Sequence, residues 1–65
     1  MEEREAKVLK LGYEMEGMSA ILKKHTDGEK LLSENSLERL QRRMRVNLER
    51  ATEASRELSD EVRET

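Results

Sequence analysis

The chain has 65 residues, with no cysteine, no proline, one histidine, and 13 lysines and arginines against 15 acids for a formal charge of −2. This excludes disulfides and thiolate metal sites, argues against structural zinc, and leaves no global basic field of the kind nucleic-acid binders carry. So short a chain builds only a thin core, and with 43% charged residues and one aromatic, Tyr13, it reads as a helical segment stabilised by oligomerisation or by a partner.

The first element is a helix over about residues 2–24. Its apolar positions Val8, Leu11, Met15, Met18 and Leu22 follow steps of 3, 4, 3 and 4, the spacing of a heptad seam and an argument against disorder. Met15 and Met18, with Met44 further on, are expected to fill the core. Ala6, Leu9, Tyr13 and Ala20 form a second apolar stripe about 160° away at 100° per residue, so this helix is expected to be sandwiched. Gly12 and Gly17 each weaken it by about 1 kcal/mol relative to alanine, and are read either as weak spots or as points of close approach by a partner. His25 is expected to serve the free carbonyls at the helix end.

A connection over about 25–35 follows. Asp27-Gly28 signals a turn, and two capping boxes are expected, Thr26 with Glu29 and Asn35 with Glu38. Together they predict a short helical turn over about 28–33, with a break near 33–35. Leu31 and Leu32 are expected to close the hairpin end.

The second helix is expected over about 36–63, its seam running through Leu37, Leu40, Met44, Leu48, Ala51, Ser55, Leu58 and Val62. Successive steps of four after Leu40 create an eleven-residue interval that locally relaxes a left-handed supercoil. On this reading Leu48→Asp unfolds or dissociates the packed state, because it buries an unpaired charge. In an antiparallel hairpin Leu22 falls near Leu37 and Val8 near Ala51, which leaves Leu58 and Val62 little to pack on.

Charge is segregated along this helix. Residues 37–50 carry Arg39, Arg42, Arg43, Arg45 and Arg50 against two acids, a net of +3; residues 52–65 carry Glu53, Glu57, Asp60, Glu61 and Glu64 against two arginines, a net of −3. Acids near a helix C-terminus oppose the macrodipole, so isolated-helix stability does not account for the pattern. Two copies set antiparallel bring basic halves onto acidic halves, crossing near the small residues Ala51, Thr52, Ala54 and Ser55. The arginines lack interleaved aromatics for bases, and no run is apolar enough to span a bilayer.

The stretch EGMSAILKKHTDGEKLL, residues 16–32, resembles the antiparallel coiled-coil fingers of protein kinase N-type Rho effectors. The likeness rests on Glu16-Gly17 opening an apolar turn, on the Thr26-Asp27-Gly28 connection, and on Leu31-Leu32 before the second helix. Met18-Ser19-Ala20 replaces the glutamate-asparagine pair that usually follows the glycine. The resemblance implies binding to a Rho-family GTPase. Residues 31–62 also look like the amphipathic half-bundle of a vesicle SNARE, without a clear central glutamine layer, which implies a heterologous helical partner. SRELSD, residues 55–60, is similar to the signature of small sporulation aspartyl-phosphate phosphatases, but Ser59 displaces Asp60 by about 100° around the helix.

The expectation is an all-α chain, one domain over residues 1–65: an antiparallel, coiled-coil-like two-helix hairpin completed to a four-helix bundle by dimerisation or by a partner. No catalytic, cofactor or metal residues can be assembled, so the chain is read as a non-enzymatic protein–protein interaction module, self-associating in the first reading, with the Rho-effector finger or SNARE-like half-bundle as the alternative. Its interaction residues are Val8, Leu11, Met15, Met18, Leu22, Leu37, Leu40, Met44, Leu48, Ala51, Leu58 and Val62, with Arg39, Arg43, Arg50, Glu57 and Glu61 supplying charge. The expected partner is a second copy or another helical protein in the cytoplasm, with no specific nucleic acid and no membrane insertion.

Overall fold

A computed structural model describes residues 2–64, for Glu64 the backbone only. Two helices, α1 (Glu2–Thr26) and α2 (Glu34–Glu64), pack antiparallel across the connection 27–33 as a hairpin of 49 × 16 × 14 Å. Glu2, Glu3 and Glu5 occupy the first turn of α1, and Lys23 and Lys24 the last, each sign where the helix dipole favours it.

α1 ends two residues beyond the expected point, at a glycine in the left-handed region. Gly28 has φ +78°; its N–H donates to His25 O at 3.1 Å, while Glu29 N–H donates to Lys24 O at 2.9 Å. This pair of bonds is a Schellman motif, which satisfies carbonyls that the helix end would leave open. The Asp27-Gly28 turn is therefore present, but the short helical turn expected over 28–33 is not: residues 27–30 turn and 31–33 have no regular structure. Thr26 does not cap a second helix. It lies in the last turn of α1, and its hydroxyl donates back to Leu22 O at 3.0 Å.

A Cβ at Gly28 meets nothing within 4 Å, and the same is true at Gly12 in the middle of α1. Backbone conformation alone then decides the sign of a substitution. Gly28→Ala is expected to lower stability by about 1–2 kcal/mol, because φ is positive. Gly12→Ala is expected to raise it by about 1 kcal/mol. Urea midpoints moving in opposite directions check both.

His25 acts differently from the sequence expectation. Its Nδ1 accepts from the Leu32 N–H at 2.9 Å, so the imidazole satisfies a connection amide and ties the loop to α1. α2 then begins two residues before the expected start. Ser33 is its N-cap: Ser36 N–H donates to Ser33 Oγ at 3.2 Å and Leu37 N–H donates to Ser33 O at 2.9 Å. The expected Asn35 and Glu38 box gives way to this cap. Leu32 is half-buried, whereas Leu31, expected beside it at the hairpin end, is 80% exposed.

The α1 seam is as expected. Leu11 and Met18 are buried, and Val8, Met15 and Leu22 half-buried, with His25 continuing the spacing. On α2 the seam runs through Leu37, Leu40, Met44, Asn47, Ala51, Ala54, Leu58 and Glu61, all buried or half-buried. Its steps of 3 and 4 alternate without interruption, so the eleven-residue interval does not exist. Leu48, Ser55 and Val62 are corrected from the seam to an outer flank: Leu48 is 60% and Val62 56% exposed, and Ser55 is exposed. Each follows a seam position by one residue, a rotation of about 100°.

Asn47 sets the register between the helices. It is 5% exposed, and its Nδ2 donates to Leu11 O across the seam at 3.0 Å. A buried amide that is satisfied only in one alignment selects that alignment over slipped ones. Leu11 opposite Asn47 lies within one residue of the expected register. Ala54, 2% exposed, is the most enclosed core residue and allows the helix backbones to approach. At the open end Arg4 reaches across α2, with Nη1 2.9 Å from Glu61 Oε2 and 3.4 Å from Glu57 O. Both partners are partly exposed, so the ion pair is worth roughly 0.2–1 kcal/mol.

Candidate association surface

The hairpin leaves much of itself uncovered. Its accessible surface is 5489 Å², against about 4,300 Å² for a compact monomer of this mass. Leu9 and Tyr13 are 59% and 68% exposed, and Ala6 and Ala20 are exposed too, so the second apolar stripe of α1 has no cover within the hairpin. The close approach considered at Gly12 and Gly17 is likewise not made within the chain.

Three stripes emerge on α2 once the seam is assigned. Residues one position after the seam, Glu38, Gln41, Arg45, Leu48, Thr52, Ser55, Ser59 and Val62, form a flank with two charges. Residues one position before it, Ser36, Arg39, Arg43, Val46, Arg50, Glu53, Glu57 and Asp60, form a flank that is charged at every position but two. Ala51 and Ala54, expected at a crossing between copies, face α1 instead, which leaves Thr52 and Ser55 as the small residues turned outward.

On the charged flank α1 contributes a facing wall. Glu14, Gly17 and Ile21 line a groove of about 610 Å³ with Arg43, Val46 and Arg50 of α2, and the buried residues Leu11, Met18, Leu40 and Asn47 form its floor, with Arg42 at the rim. Of the interaction residues expected from sequence, the structure gathers Val8, Leu11, Met15, Met18, Leu22, Leu37, Leu40, Met44, Ala51 and Leu58 into the intramolecular seam. Arg39, Arg43 and Arg50 lie exposed beside the groove, and Glu57 and Glu61 are half-buried toward the open end. Asn47, Ala54, Ile21, Val46 and Arg4 were not among the expected residues. An unbroken 3-4 alternation on α2, matched to that of α1, selects Asn47 and Ala54.

Among the described residues no group of histidines, cysteines or acids could hold a metal ion, and no helix is long and apolar enough to cross a membrane. No protein-family model, curated protein or solved structure matches the chain.

Proposed function

We propose that the hairpin is a non-enzymatic association module whose work is to bind a second copy of itself, giving a four-helix bundle. The observation that carries this reading is the uncovered apolar surface on a hairpin with so thin a seam. Leu9, Tyr13, Ile21, Leu48 and Val62 are each more than two-fifths exposed, while the apolar core comprises Leu11, Met18, Leu40 and Ala54. Burying a leucine contributes about 1.5–3 kcal/mol, and a second hairpin supplies that cover on the face it meets. The charge segregation of α2 makes a second copy electrostatically suited, because its halves are opposite in sign.

Self-association couples folding to concentration. The melting temperature followed by circular dichroism is expected to rise over an about hundredfold range of chain concentration. A concentration-independent melt of a helical monomer contradicts self-association and turns the search to a heterologous helical partner, such as the GTPase implied by the Rho-effector resemblance.

A further inference from the structure

We infer that two copies meet through one flank of α2 in one register, with Arg50 against Glu53 of the second copy and Arg43 against its Asp60. This rests on the self-association reading above and adds to it the face and the alignment.

The flank preceding the seam changes sign once. Arg39, Arg43 and Arg50, with Val46 between them, give way to Glu53, Glu57 and Asp60. An antiparallel pairing about a two-fold axis between residues 51 and 52 sets Arg50 opposite Glu53, Val46 opposite Glu57 and Arg43 opposite Asp60. It sets Arg39 opposite position 64, which the sequence fills with a fourth acid. Every basic position of the flank then faces an acidic one, twice over by symmetry. A parallel pairing places arginine on arginine, and the other flank of α2 has too little charge to choose a direction. Charge patterning of this kind specifies partner orientation along helix interfaces.

The groove gives the acidic half of the second copy a place to lie. It runs beside the basic half of α2, with Ile21 and Val46 offering apolar surface and Gly17 leaving open space where a side chain would stand. Arg39, Arg43, Arg50 and Asp60 are exposed and take part in no ion pair among the described residues. Glu53 lies 3.7 Å from Arg56 of its own helix, an exposed contact that a second arginine can share. The acidic half turns toward Arg50 and Arg43, and Glu14 on the opposite wall disfavours deeper entry of carboxylates.

Sedimentation equilibrium of the full chain and three variants tests the register. Arg43→Glu is expected to weaken the dimer by about tenfold or more. Adding Asp60→Lys restores it to within a few-fold. Adding Glu53→Lys instead, at identical net charge, does not. All three positions are exposed, and unchanged helicity by circular dichroism shows that the hairpin still folds. Rescue by Glu53→Lys in place of Asp60→Lys, or no loss on Arg43→Glu, overturns this face and register while leaving self-association standing. A wild-type chain that is monomeric throughout overturns both.

Discussion

Asn47→Asp is expected to unfold the hairpin at neutral pH, whereas Leu48→Asp, one residue further on, leaves it folded. Asn47 is 5% exposed and donates to Leu11 O, so the substitution removes the donor and aims an ionised acceptor at a carbonyl oxygen. An uncompensated buried charge costs on the order of 3–5 kcal/mol. A core this small supplies about 3–5 kcal/mol in total, so the loss is comparable to the whole stability of the fold. The penalty also has a direction in pH. Burial raises the folded pKa of the introduced carboxyl above its unfolded value of about 3.9, so destabilisation grows as pH rises through that value and fades below it. Leu48 is 60% exposed, and an aspartate there stays in water, at a cost to the hairpin of about 0.5 kcal/mol or less. Helicity and urea midpoints of the two variants check the contrast, and equal losses contradict the assigned seam.

Leu40→Ala is the second large effect. Leu40 is 7% exposed, and truncation loses both its transfer energy and the contacts around the resulting cavity, about 2–4 kcal/mol. On this hairpin that removes most of the about 3–5 kcal/mol available, so the variant is expected to be only marginally stable at 25 °C. Leu9→Ala removes the same atoms from a position that is 59% exposed and is expected to move the urea midpoint little in the monomer. Chemical denaturation of both variants at low concentration separates seam from surface.

The contrast at residues 47 and 48 also shows where sequence reasoning stopped. The first seam was legible because each of its positions from Val8 to Leu22 is apolar, so spacing and hydrophobicity name the same residues. On α2 they part. The seam passes through Asn47, Ala54 and Glu61, and each is followed by Leu48, Ser55 or Val62, so following apolarity at 47 and 61 rotates the assigned face by one residue. A polar seam position becomes acceptable only when its partner is known, here the Leu11 carbonyl on a different helix. The cap of α2 was obscured in a similar way. Asn35 with Glu38 fits the capping-box pattern, but Ser33 holds the N-cap, and the flanking Leu32 and Leu37 stand at the two positions of a hydrophobic staple. The charge segregation was visible from the start; that its sign changes once along a single flank emerged only after the seam was corrected.

Sedimentation equilibrium of the wild-type chain across concentration, in about 0.1 M and about 1 M salt, measures both self-association and its electrostatic origin, because the screening length falls between them from about 10 Å to about 3 Å. A helical dimer that weakens as salt rises is expected, since its orientation is set by exposed opposite charges. A monomer at every concentration rules out self-association, and a dimer indifferent to salt rules out the charge-set orientation.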